Sequence, residues 1–314
     1  MKKIVVIGNG KMAVDCLKIM SATPDHIVSL AVTEPRELSP GNGLPAQCRK
    51  LGISCLETAR LNTPDVVGQV SAIGPDIILN INSFRIIKPA LLEIPKDGLV
   101  NFHNGPLPRY GGVNVCSWAI INGETLHGVT WHYLDEGIDT GAIIAQRDVE
   151  IARDETALSL IMKCINAGTA LFRDVFPRLV DGQITARPQD RSKATYYSLR
   201  DIPNGGRVDY EWPYDRFDRF IRGLSFHPMP NTFVHPKSAC HAKDFFIQRI
   251  EKLEGAPVGG ECGTVVAVEP DRIAVQIRDS IVGLTEVLDD DRNDITVAEF
   301  AERYRITVGT LLGR

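Results

Sequence analysis

Short apolar runs rich in β-branched residues alternate with amphipathic stretches through the first half of the chain. The run at 4–7 precedes a helical pattern over 11–20, and 26–32 precedes 43–51. Residues 76–81 likewise precede 89–93, and 99–103 precede 114–122. Such alternation predicts βαβ units and a mostly parallel sheet, a Rossmann-like α/β domain. Two more β-like runs, 128–134 and 142–151, lead into a long amphipathic stretch over 156–180 that ends at Asp181-Gly182. A first domain over 1–182 follows from this pattern. Residues 183–205 mix Pro, Gly and polar side chains without a sustained period and read as a linker. From 206 to 314 one helical pattern, 213–224, precedes β-like runs at 245–250, 264–268, 272–277 and 281–288, and a final helix is expected over 296–304. That composition suits a smaller β-barrel or half-barrel.

Length agrees, since 314 residues suggest about two domains. A net charge of −4 disfavours a basic surface following a phosphate backbone, so a nucleic-acid partner is not expected. No apolar run approaches the ~20 residues of a spanning helix, so no membrane partner is expected. The opening MKKIVVIG reads as a first strand rather than a secretion signal, because Gly8 and Asn9 interrupt its apolar run. Seven cysteines without a CxxC pair point to a reducing compartment, the cytoplasm, and to no cysteine metal site. His227, His235 and His241 match no compact zinc spacing. Asp289, Asp291 and Asn293 imitate a calcium loop, but Asp294 and Phe300 stand where its turn glycine and bidentate Glu should be, so the cluster reads as a solvated cap. Arg216, Arg219 and Arg222 read as an exposed salt-bridge face.

Gly8-Asn9-Gly10-Lys11-Met12-Ala13 follows a strand and opens a helix, with Glu34 about 20 residues on. This fits the dinucleotide fingerprint and leaves an NAD(P)-dependent oxidoreductase open beside a plain tight turn. A denser cluster, 101–112, sits where the last parallel strand should end. Side chains two apart on a strand share a face, so Asn101 and His103 converge while Val100 and Phe102 face the other layer. An amide donor beside an imidazole suits acyl transfer: the first can hold an oxyanion while the second moves protons. A structural histidine at a strand end is the competing reading.

Asn101-x-His103 with its Pro-containing loop, then Gly128-Val129-Thr130 and the loop Asp135-Glu136-Gly137-Ile138-Asp139-Thr140-Gly141, together resemble the formyltransferase family that draws on 10-formyltetrahydrofolate. Ser83-Phe84-Arg85 and the 206–212 segment support the resemblance, which covers most of the chain. It implies a C-terminal OB-like β-barrel and a folate co-substrate. It also implies catalytic Asn101, His103 and Asp139, with Asp139 orienting the imidazole and raising its pKa. Ile86, Ile87 and the 135–139 loop would line the pterin pocket, and Gly10 and Lys11 would face the acceptor.

The acceptor is read as the primary amine of a small molecule: a nucleotide-linked amino sugar, an ornithine-type amine or a peptide precursor. The 33–47 segment carries little positive charge where the methionyl-tRNA branch has a basic insertion, and the loop after His103 reads Asn-Gly-Pro-Leu-Pro. Methionyl-tRNA formylation remains the alternative. The sequence leaves a homodimer open.

Overall fold

The computed structural model describes residues 1–35, 43–83, 85–231, 233–255 and 259–313. Phe84 and residues 36–42 of the 33–47 segment lie outside them. Along the chain run β1 (Lys2–Gly8), α1 (Gly10–Ser21), β2 (His26–Thr33), α2 (Leu44–Leu51), β3 (Cys55–Glu57), α3 (Pro64–Ile73), β4 (Ile77–Ile81), α4 (Pro89–Leu92), β5 (Leu99–His103), β6 (Gly111–Gly112), α5 (Val115–Ile121), β7 (Leu126–Tyr133), β8 (Ile143–Glu150) and α6 (Ala157–Val180). Then come β9 (Tyr196–Tyr197), α7 (Tyr214–Gly223), β10 (Lys237–Cys240), β11 (Lys243–Leu253), β12 (Val265–Val268), β13 (Ile273–Gln276), β14 (Ile281–Leu288), β15 (Asp294–Ile295) and α8 (Val297–Arg303). Residues 1–112, 126–150 and 162–197 form one compact unit, and 113–125, 151–161 and 198–314 a second.

The first unit is built on a seven-stranded sheet ordered β3-β2-β1-β4-β5-β7-β8. It is parallel from β3 to β5, while β7 and β8 run antiparallel. The order reverses next to β1, and open sheets of this kind place their sites beyond the carboxyl ends of the strands near that point. On one face, Val5, Ile7, Ile78 and Leu99 pack with Val66 and Val70 of α3. Each such side chain stabilises by roughly 1.5–3 kcal/mol when fully buried. Aromatic contacts run from Phe102 to Trp131 (5.3 Å between centroids) and on to Phe172 of α6 (4.9 Å). Gly168 lets the α6 backbone come close: a Cβ there would lie 2.1 Å from the Phe102 ring, and its carbonyl accepts the Trp131 indole N–H at 3.0 Å. This packing fixes β5 from behind.

Two elements depart from the sequence expectation. β3 is only three residues long, and α3 (PDVVGQVSAI) carries Val, Val and a mid-helix Gly68 that disfavour helix locally. It forms because Val66 and Val70, one turn apart, bury against the sheet. The stretch 183–197 packs with the first unit rather than running free. There Tyr196 and Tyr197 pair with Gly111 and Gly112 as the two-stranded β6-β9 ladder.

The second unit is an antiparallel half-barrel ordered β10-β11-β14-β13-β12, with β15 paired to β14. Its core joins Phe217, Phe220 and Ile221 of α7 to Phe245, Val275, Leu284 and Phe300. Asp289 is buried rather than solvated: it accepts the Asp291 and Asn293 N–H groups at 2.9 and 2.8 Å and pairs with Arg303 at 2.6 Å. The cap of α8 is a Thr296/Glu299 capping box. The three arginines of α7 also divide: Arg222 pairs with Asp218 at 2.7 Å, whereas Arg216 lies over the Trp212 ring at 4.4 Å. Among the described residues no helix is long and apolar enough to cross a membrane.

Candidate active site

Register alone aligns the polar groups of the first unit. Asn80 of β4 lies opposite Asn101 of β5, and Asn101 lies opposite His132 of β7. All three are buried. The Asn80 amide donates to Asn101 Oδ1 at 2.7 Å. His132 gives its Nδ1 proton to the Tyr133 carbonyl at 2.8 Å, so its Nε2 accepts from Asn101 Nδ2 at 3.0 Å. These bonds fix the Asn101 amide with its oxygen and one N–H used and its second N–H still to donate. No local sequence pattern singles out Asn80 or His132. Asn80 stands in the DIILNI run and His132 two residues past Thr130, and strand pairing is what brings them to Asn101.

His103 gives its Nε2 proton to the Tyr110 carbonyl at 2.6 Å, and its Nδ1 lies 3.5 Å from the Asp139 carboxylate. Gly105 makes room, since a Cβ there would come within 2.6 Å of both Nε2 and the Tyr110 oxygen. Thr130, opposite His103 across the ladder, donates to the Gly105 carbonyl at 2.6 Å and accepts the Leu107 N–H at 3.2 Å. Gln146 donates to the Leu107 carbonyl at 2.6 Å. The loop after His103 is thus pinned to the sheet edge.

Asp139 joins this cluster from the loop after β7. Its Oδ2 accepts the Gly112 N–H at 2.8 Å, its Oδ1 lies 3.6 Å from His132 Nε2, and its φ is +56°. Burial pushes its carboxyl up, but His103 in its cationic form and the Gly112 N–H outweigh that and hold it at about 2. It is ionised. His103 departs from the expectation of a raised pKa. Burial lowers it and prevails over Asp139 and the Tyr110 carbonyl, both of which favour the cation. The resting ring is a neutral base, and its two nitrogens face two acceptors that would support a cation.

The other expected site residues are more dispersed. Lys11 pairs with Asp15 one turn along its own helix, and Gly10 opens α1 at φ +69°. Glu34 pairs with Arg85 at 3.4 Å, and the Asn9 side chain accepts the Thr33 hydroxyl at 2.7 Å and the Glu34 N–H at 3.2 Å. The glycine turn is thereby tied to the end of β2. Ile86 is 72% exposed, whereas Ile87 packs against the sheet core. Asn62 clips this segment, donating to the Ile86 carbonyl at 2.9 Å and accepting the Lys88 N–H at 3.0 Å. Glu136, Gly137 and Ile138 are exposed, and the Asp135 side chain accepts the Gly137 N–H at 3.1 Å. A cavity of about 920 Å³ in the second unit, walled by Arg153, Tyr214, Arg219 and Arg222 among others, includes none of Asn101, His103 and Asp139.

An amide and a neutral imidazole on one strand, facing an ionised carboxylate, form an acyl-transfer constellation. Residues 2–176 match the model of the formyl transferase family, and 202–305 match that of the formyl transferase C-terminal domain. The chain belongs to the formyl transferase family and is a formyltransferase. It is 26% identical over 317 residues to the methionyl-tRNA formyltransferase of Ruminiclostridium cellulolyticum, covering 99% of this chain and 100% of that one. With the methionyl-tRNA formyltransferase of Trichlorobacter lovleyi it shares 30% over 315 residues, covering 99% and 96%. The structure of an N-formyltransferase from Helicobacter canadensis, in complex with folinic acid and dTDP-3-aminofucose, superposes with a TM-score of 0.66 at 21% identity. That match covers 91% of this chain and 99% of the other.

Proposed function

We propose that the protein transfers a formyl group from 10-formyltetrahydrofolate to the primary amine of a small molecule, with Asn101, His103 and Asp139 performing the step. The observation that carries this reading is the convergence of the three side chains at one end of β5, Asn101 preset by Asn80 and His132. The second Asn101 N–H donates to the oxygen that gains charge as the amine attacks the formyl carbon. His103, neutral at rest, takes the proton that the amine loses and returns it to the folate nitrogen as its bond to the formyl carbon breaks. Asp139, held ionised, stabilises the imidazolium between those two events.

For the folate, the exposed Ile86 and Ile138 side chains and the exposed 136–138 part of the 135–139 loop offer apolar contact and main-chain polar groups. Such a lining fits a flat, amide-like ring. Gly10 and Lys11 would meet the acceptor, with the Lys11–Asp15 pair opening to do so. A net charge of −4 supports a small acceptor, such as a nucleotide-linked amino sugar or an amino-acid-type amine. Full-length similarity to methionyl-tRNA formyltransferases favours the second reading, an aminoacyl-tRNA amine. Comparing formylation of charged initiator tRNA with that of a panel of nucleotide-linked amino sugars and ornithine-type amines separates the two. Turnover confined to the panel is expected; turnover confined to tRNA overturns the small-amine reading.

A further inference from the structure

We infer that the strap 189–197, outside the main sheet, is the positioning element of the site, holding in place both acceptors that face the His103 imidazole. The inference rests on the roles proposed above for His103 and Asp139. Each acceptor has its own tether. Gln189 Nε2 donates to the main-chain carbonyls of Asp139 at 2.8 Å and Gly141 at 2.7 Å, gripping the loop on both sides of Thr140. Asp139 needs such a grip, because a left-handed φ of +56° is strained for a non-glycine residue.

On the other side, Thr195 Oγ1 accepts the Tyr110 N–H at 2.7 Å, and the Tyr110 ring stacks on Tyr197 at 5.6 Å. That aims the Tyr110 carbonyl at His103 Nε2. The two tethers meet at Gly112. It pairs with Tyr197 in the β6-β9 ladder while its N–H donates to the Asp139 carboxylate. A Cβ at Gly112 would lie 2.0 Å from the Tyr197 carbonyl, so the strap sits directly against the backbone. Releasing the strap would loosen the acceptor at each ring nitrogen together, leaving the burial that disfavours the cation in place.

Thr195→Val and Gln189→Glu test this, because both keep side-chain shape while removing the acceptor or the donor. Thr195 is exposed and Gln189 only half buried, so both variants should fold. The expected result is kcat lowered about tenfold in Thr195→Val, which loses one directed hydrogen bond, and at least about tenfold in Gln189→Glu, which loses two, with the KM of the amine unchanged. Among the described residues, the groups whose charge acts on His103 are Asp139 and, 6.5 Å away between rings, His132. With the support for the cation weakened, the acidic limb of kcat/KM should move to lower pH, and Thr195→Ser should restore the wild-type profile. Wild-type kcat and pH profile in both strap variants, beside an inactive His103→Ala, would overturn the positioning role while sparing the proposed mechanism. An active His103→Ala would instead overturn the mechanism.

Discussion

Asn101 donates one N–H to His132 and accepts from Asn80, which leaves a single directed donor for chemistry. Asn101→Ala should therefore lower kcat by about 10²–10³, the usual cost of one oxyanion donor, with little change in melting temperature. His132→Leu tests the presetting: kcat should fall by about tenfold, because Asn101 loses the acceptor that orients it. Unchanged kcat would show that Asn80 alone suffices. The ionisable pair has a stability signature as well. Asp139 sits near 2 when folded, so its stabilisation is complete above its unfolded value near 4 and is lost as pH falls toward 2. His103 has the opposite preference, being held below 6.5 by burial. The unfolded chain takes up that proton first, and stability declines as pH drops below about 6.5. His103→Gln should flatten that decline in denaturant titrations below about pH 6.5.

At the scale of elements, the longer strands are legible because their apolar runs are bounded by turn residues, as in 76–81 and 99–103, whereas short strands such as β3 and β10 are not. Period two likewise placed Asn101 and His103 on one face. The third member, Asp139, came from resemblance rather than from spacing: it lies on a loop that long-range bonds to Gly112 and Gln189 fold back onto β5. His132 and Asn80 needed the register of β4, β5 and β7, which no local pattern encodes. The 183–205 stretch has no sustained period and so reads as a linker, whereas its Tyr196–Tyr197 forms β9 against β6 through pairing distant in sequence. Gly112→Ala should test that ladder. With φ at +93° and no room for a Cβ, the variant should lose about 2 kcal/mol or more, and activity with it, in thermal unfolding and turnover assays.

Across the whole molecule, the two units have separate cores, and the proposed chemistry draws on the first alone. Charge is the property that bears on the acceptor. An acceptor held through several phosphates makes KM rise steeply with salt, whereas a small amine should give a shallow dependence. Formyl transfer carried out by Asn101, His103 and Asp139 can be followed by mass spectrometry. Protein and 10-formyltetrahydrofolate with an isotope-labelled formyl carbon are added to a small-molecule extract, in parallel with the Asn101→Ala and His103→Ala variants. Labelled N-formyl product is expected from the wild-type protein, with near-complete loss in both variants. Equal labelling by wild type and variants, or none by any, would contradict it.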